Sequence, residues 1–349
     1  VAKHDLGDLE KIRTALEAWL RIQLPDAQAL TLGELSFPEE SGESSVSLIL
    51  KTQNKGESKG YICRMKPRES QVFDEHDLPM QYHLMSIAAK EGIPVPPLHG
   101  FEQDESLVGS DFYIMGFVEG TVPTDNPPYA FGGWVVELSE LERKTMWSNG
   151  LQVMARIHQI DLDKHDFPLM PSSDPAQAPI QHELEKLEVL MTPDVRANLH
   201  EVVKDAVLFL NKNAPMDGSR RLCWGDSRPG NVIWKNLEPN AVIDWEMACL
   251  GDPMQDVSWW YWVDYINSVG LGVTRLGGLP SLEEIYNKWH ELTGLPIAHA
   301  YYYNLFSVVR YAIILQKKFS SMEKAGMGRI DNFVVPFVEQ QLEIFRTHA

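Results

Sequence analysis

Cysteine is scarce. Cys63, Cys223 and Cys249 are the only three among 349 residues, widely separated and without a C-x-x-C pair. That excludes a disulfide framework and fits a reducing compartment. Positive charge is also in short supply: 31 Lys and Arg stand against 49 Asp and Glu, a formal charge of −18. A chain so acidic has no broad basic surface for nucleic-acid phosphates or an anionic membrane. It would suit a cationic substrate, but charge spread over a whole chain serves solubility first. No run approaches the ~18 apolar residues of a membrane span. Residues 1–19 lack the basic flank and apolar stretch of a signal peptide. Instead Leu9, Ile12, Leu16 and Leu20 form one stripe of an amphipathic helix. A cytoplasmic location is expected, with no nucleic-acid or membrane partner; oligomeric state is left open.

What is present is the composition of a globular protein, 44% hydrophobic and 23% charged, long enough for about two domains. Residues 46–51 and 61–65 are short apolar runs around a polar turn at 54–60, an antiparallel hairpin. Residues 75–90 read as a helix with Leu78, Tyr82 and Met85 on one side, ended by Pro94, Pro96 and Pro97. The apolar run 112–118 has strand length. A stretch with Pro123, Pro127 and Pro128 marks a boundary. Helical spacing dominates 138–160, 181–191 and 194–213, then 300–323 and 330–347. Residues 220–246 return to strand–loop–strand character. The expected organisation is α+β: a small β-rich lobe over 1–119 and a larger, mainly helical lobe over 120–349.

The chemistry concentrates in Trp224-Gly225-Asp226-Ser227-Arg228-Pro229-Gly230-Asn231 and in the strand-like run that ends at Asp244. Asp226 and Asn231 are five residues apart. In phosphoryl transfer one carboxylate orients the acceptor hydroxyl and takes its proton, while an amide oxygen and a second carboxylate hold divalent metal against the nucleotide phosphates. Protein kinases use this Asp–Asn spacing, with the second Asp supplied from a following hairpin. A lone Gly-Asp-x4-Asn carries little weight, since Asp is common in loops; the three residues together carry much more.

These segments, with Val242-Ile243-Asp244-Trp245-Glu246-Met247-Ala248-Cys249-Leu250-Gly251-Asp252-Pro253 and, upstream, Phe112-Tyr113-Ile114-Met115-Gly116-Phe117-Val118-Glu119-Gly120, resemble the aminoglycoside phosphotransferase family, which has the two-lobed protein-kinase-like fold. The likeness is strongest to the branch found as kinase-like domains of some acyl-CoA dehydrogenases, and it covers most of the chain. It implies an ATP-dependent, Mg²⁺-assisted transfer of the γ-phosphoryl group to a hydroxyl of a small molecule. By the same resemblance Asp226 is the catalytic carboxylate, and Asn231 and Asp244 are metal ligands. Arg228 lies where many protein kinases carry a lysine near the transferring phosphoryl, where a cation offsets developing charge; a surface salt bridge is the alternative. Glu246 is either a metal-shell or a structural residue, and Asp252 and Asp256 brace the catalytic loop. Where much of the family has histidine, this chain has Trp224, an aromatic packing anchor. His158 reads as a satisfied core histidine, and Cys223 and Cys249 as packing.

The family's phosphate-covering turn falls at residues 41–46, where Ser44 and Ser45 would approach phosphate with their backbone N–H groups; with Gly42 alone, an ordinary hairpin turn fits nearly as well. Arg64 occupies the phosphate-pairing position, with Lys66 as the neighbour that could replace it. Gln81 stands where kinases have the glutamate that pairs with that cation, and an amide cannot neutralise it. Met115, Gly116 and Phe117 would meet the adenine, although plain core strand fits each side chain as well. The aromatic run Trp259-Trp260-Tyr261-Trp262 is mainly core, with part available to line an acceptor pocket. Two acceptors are in view, an aminoglycoside-like molecule and a hydroxyacyl thioester; a catalytically weak nucleotide-binding regulatory module is the rival outside enzymes.

Overall fold

The computed structural model describes residues 6–38, 46–66, 77–167 and 177–348. It divides into two compact units, residues 1–119 and 120–349.

In the first unit, α1 (Leu9–Gln23) is started by Asp8, whose side chain accepts the N–H groups of Glu10 and Lys11. An antiparallel sheet follows: β1 (Thr31–Leu32), β2 (Val46–Asn54), β3 (Glu57–Met65), then α2 (Leu78–Lys90), β4 (Leu98–Glu102) and β5 (Phe112–Gly116). Strand order is β1-β2-β3-β5-β4. The hairpin turn is tighter than the polar run at 54–60 implied. Asn54 pairs with Glu57, and the turn is only Lys55 and Gly56, both at positive φ (51° and 87°). A two-residue turn of that hand matches strand twist, so the polar residues flanking it become strand ends.

Alternation along β3 and β5 sends Cys63, Met65, Phe112 and Ile114 to one face, where they join Leu16, Trp19 and Leu20 of α1 in a buried core. Arg64, Ile62, Tyr113 and Met115 take the other face: Arg64 pairs with Tyr113 and Ile62 with Met115. There α2 packs, its Tyr82 ring 6.0 Å from that of Tyr113.

The second unit is mainly helical: α3 (Trp134–Glu137), α4 (Glu140–His158), α5 (Gln181–Leu190), α6 (Pro193–Asn198) and α7 (Glu201–Lys212) precede four short strands. A capping box of Ser139 and Glu142 starts α4. The single helix expected over 194–213 is broken, because Leu199 and His200 are extended and His200 caps α7 through Nδ1. Strands β6 (Arg221–Cys223) and β9 (Cys249–Gly251) pair with each other, as do β7 (Val232–Lys235) and β8 (Glu238–Val242). Helices α8 (Met254–Ser268), α9 (Leu282–Thr293), α10 (Ala300–Lys324) and α11 (Val335–His348) complete the unit. Among the described residues no helix is long and apolar enough to cross a membrane.

Candidate active site

The loop between β6 and β7 carries Asp226, Arg228 and Asn231, and the segment after β8 carries Asp244. Three features bind these stretches together. Ile243 N–H donates to the Asn231 carbonyl at 3.0 Å, extending the β7–β8 pairing so that Asn231 and Asp244 leave the same end of the hairpin. The Trp224 indole, fully buried, donates to the carbonyls of Ile243 and Asp244 at 3.0 and 3.2 Å. Gly225 crosses the second segment so closely that a Cβ would lie 2.0 Å from the Met247 carbonyl oxygen, at φ 89°. Only glycine fits there. Asp244 itself is left-handed, φ 61°, a conformation Asp tolerates better than most residues and one concentrated at functional sites.

Asp226 is held from both sides. Its Oδ2 accepts Arg228 Nε at 2.9 Å and Asn231 Nδ2 at 2.6 Å. Among the described residues its Oδ1 accepts only Trp259 Nε1, at 2.7 Å. A carboxylate oxygen offers about two lone-pair sites, so Oδ2 is saturated and Oδ1 keeps one open. Burial raises the carboxyl pKa, but the Arg228 charge, with hydrogen bonds from Arg228, Trp259 and Asn231, outweighs it and holds Asp226 below its ordinary value. The group is therefore ionised at neutral pH and a weak base. Removing the indole donor by Trp259→Phe should leave Oδ1 free to turn; we expect turnover to fall about tenfold, within the range for one charge-assisted hydrogen bond, with KM for nucleotide little changed in steady-state assays.

Asn231 is buried and spends its amide hydrogens on the carbonyl and Oδ2 of Asp226. Its carbonyl oxygen is the end left for a metal. With the Asp244 carboxylate, the set is all oxygen and fits a hard divalent ion such as Mg²⁺. His158, Cys223 and Asp256 also cluster, but their polar atoms are committed. Asp256 Oδ2 accepts Trp224 N–H at 2.6 Å and His158 Nε2 at 3.0 Å, and Oδ1 accepts Gly225 N–H at 2.8 Å. His158 Nδ1 accepts Trp289 Nε1 at 2.9 Å, which fixes the tautomer with hydrogen on Nε2. Burial pushes the Cys223 thiol well up, away from thiolate chemistry. This trio braces the loop.

Asp252, also buried, accepts Ser219 and Met254 N–H groups at 3.1 and 2.9 Å. Burial raises its carboxyl pKa to about 6, against those hydrogen bonds. A carboxyl raised on folding contributes stability that is complete below its unfolded value, about 4, and is lost as pH rises through about 6. The loss is on the order of 3 kcal/mol. Asp252→Asn should flatten the fall in urea midpoint between about pH 4 and 6.

Two contributors escaped the sequence reading. Arg310 is buried in α10, its guanidinium 3.9 Å from the Trp259 ring centroid and Nη2 3.0 Å from the Gly225 carbonyl. It thus supports both the loop and the indole that holds Asp226. A lone arginine in an otherwise apolar helical run was the available signal. Asp125, within the Pro-rich stretch, accepts Arg228 Nη1 at 2.6 and 2.7 Å.

In the first unit, Arg64 is buried on the α2 side of the sheet. Lys66 instead pairs with Asp111 at 3.0 Å. Gln81 is buried with its Oε1 3.5 Å from the Tyr113 hydroxyl. Gly116 N–H donates to the Pro97 carbonyl at 2.7 Å and Phe117 N–H to Gly60 at 3.0 Å. Neither amide hydrogen is available to a base, which narrows the adenine expectation to carbonyls and side chains. Phe117 is half exposed and borders a cavity of about 530 Å³ also lined by Leu32, Ile49, Lys51 and Gly60. Met115, two residues before it, is buried. Ser44 and Ser45 lie outside the described residues.

A sequence profile described as the phosphotransferase enzyme family matches residues 40–278. The chain belongs to that family. Among curated relatives, mouse acyl-CoA dehydrogenase family member 10 is 27% identical over 73% of this chain, but over 24% of its own length. The chain spans only 24 to 43% of the first such relatives. Solved structures agree on the fold. A Ralstonia eutropha JMP134 protein provisionally classed as an aminoglycoside phosphotransferase superposes with TM-score 0.71 at 23% identity, covering 96% of this chain and 98% of its own. Choline kinase LicA of Streptococcus pneumoniae gives 0.59 at 14% identity, covering 96% and 99%. The kinase-like α+β architecture of this phosphotransferase is thereby shown, with its antiparallel sheet and helical second unit in chain order.

Proposed function

We propose that this chain transfers the γ-phosphoryl group of ATP, with Mg²⁺, to a hydroxyl of a small molecule. The observation that carries the reading is Asp226: one oxygen saturated by Arg228 and Asn231, the other held by Trp259 with a lone pair to spare. Asp226 Oδ1 accepts the acceptor's hydroxyl hydrogen and aims its oxygen. That oxygen bonds to the γ-phosphorus as the bond to the β–γ bridging oxygen breaks, and ADP departs with the electron pair. The proton passes to Asp226 late, since so weak a base cannot take it before the new bond forms. This matches a loose transition state in which placement and charge do most of the work. Arg228, held on the other oxygen of Asp226, is assigned to offset charge on the phosphoryl group, and Arg64 to the nucleotide phosphates. Mg²⁺ on Asn231 and Asp244 would neutralise phosphate charge. Nucleotide use is supported by a LicA complex with AMP and an aminoglycoside 2'-phosphotransferase complex with GDP.

For the acceptor, a hydroxyacyl thioester is favoured over an aminoglycoside-like molecule, because the curated relatives are acyl-CoA dehydrogenase family members. The test is incubation with ATP, Mg²⁺ and metabolite pools or hydroxyacyl thioesters, read by mass spectrometry for a gain of one phosphate. Product that appears with wild type and not with Asp226→Asn supports the reading. Thermal stabilisation by nucleotide, with no turnover across a broad hydroxyl library, would instead make the chain a nucleotide-binding module.

A further inference from the structure

Arg228 is clasped between Asp226 and a residue outside the Asp–Asn–Asp set, Asp125. Its Nε meets Asp226 Oδ2 at 2.9 Å, while Nη1 meets both Asp125 oxygens at 2.6 and 2.7 Å. Asp125 is more than half exposed (56% for its side chain), so burial does not force it onto the arginine. The stretch that presents it is tied down. Thr121 bridges to Trp234, Tyr129 N–H donates to the Thr124 carbonyl at 2.9 Å, and Trp134 Nε1 donates to the Val122 carbonyl at 3.2 Å. The Tyr129 hydroxyl reaches buried Asp264, which also accepts Arg275 Nε at 2.6 Å. A second, independent observation lies at Gly230. A Cβ there would stand 2.5 Å from Arg228 Nη1 and 3.0 Å from Asp125 Oδ1. Gly230 φ is not in the left-handed range that requires glycine; what the missing side chain leaves is room for the clasp.

We propose that Asp125 is a positioning residue that locks the Arg228 guanidinium onto Asp226, and that Gly230 is glycine so the lock can close. Arginine has a long side chain with many rotamers, so an arginine held only at Nε would swing away from its carboxylate for part of the time. A fixed carboxylate at the far nitrogen removes that freedom before substrate arrives, which is how preorganised charge becomes useful in a transition state. The Asp125 carboxylate hydrogen-bonds Arg228, and its effect passes through that residue.

The part played in turnover rests on the phosphotransfer reading above, whereas the lock itself can be measured without it. The Arg228 Nε–H signal, assigned by its disappearance in Arg228→Lys, is followed by ¹⁵N NMR in the full chain. Its exchange with solvent is expected to be at least tenfold faster in both Asp125→Ala and Gly230→Ala. In parallel, basal hydrolysis of ATP with Mg²⁺ should lose about tenfold in kcat, with KM for ATP within twofold of wild type. A merely structural role would lower melting temperature without this split. Unchanged Nε–H exchange in Asp125→Ala, a change at an exposed side chain, overturns the lock. Faster exchange in both variants with normal kcat overturns its role in positioning. Faster exchange with no ATP turnover even in wild type leaves the lock standing and removes the phosphotransfer reading.

Discussion

Asp226→Asn is expected to abolish most turnover, by about 10²- to 10⁴-fold, the usual worth of a positioned general base, while leaving the fold intact. The amide is isosteric and Arg228 retains Asp125. Whichever way it turns, however, it cannot serve all three donors. With its oxygen toward Arg228 and Asn231, its NH₂ meets the Trp259 N–H; reversed, it loses two partners at once. Because the side chain is 16% exposed, water reaches it, and the stability cost should stay within about 1–2 kcal/mol. The kinetic signature is a fall in kcat and kcat/KM together with little change in nucleotide affinity, since on the proposed function the interaction lost is one made with the acceptor hydroxyl in the transition state. Thermal shift by ATP and Mg²⁺ reads the second half. Near-normal turnover in this variant would remove Asp226 from the chemistry.

The largest loss of stability is expected from Asp256→Ala, thirty residues away in sequence but directly beneath the loop. Three donors lose their acceptor: Trp224 N–H, Gly225 N–H and His158 Nε2. All three residues lie in the interior, where water cannot replace the carboxylate cheaply and each orphaned group costs about 1–3 kcal/mol. A destabilisation of about 3–5 kcal/mol follows, as for other broken buried charge networks, read from the urea midpoint at neutral pH. His158→Phe should cost less, since it leaves both backbone donors satisfied. Equal losses in the two variants would place the brace in histidine packing and not in the carboxylate. Together the Asp226 and Asp256 variants separate a side chain that reacts from one that holds the backbone in place.

Much of the fold was legible because its signals are local. The amphipathic stripe of α1, the strand-length runs at β2, β3 and β5 and the helical spacing along α4 are each written within a few residues. Where sequence reading missed, a local rule was hidden. The hairpin turn shrank to Lys55 and Gly56, which both adopt left-handed conformations although only Gly56 favours them, and the helix expected over 194–213 broke where His200 could cap a new one. Asp256 was recognisable as a brace from its place after the motif. Asp125 and Arg310 were not, since nothing near either residue names its partner, 103 positions away in one case and 85 in the other.

By itself the sequence determined the family and the α+β class, and it marked Asp226, Asn231 and Asp244 as candidates, because their spacing is the one that phosphoryl transfer uses within one loop and one hairpin. Only the tertiary structure decided which oxygen of Asp226 is left open, which tautomer His158 holds and what fills the space beside Gly230. Those depend on groups brought in from α8, α9 and the 120–131 stretch, and a hydrogen bond is decided by where two atoms end up in space, not by their separation along the chain.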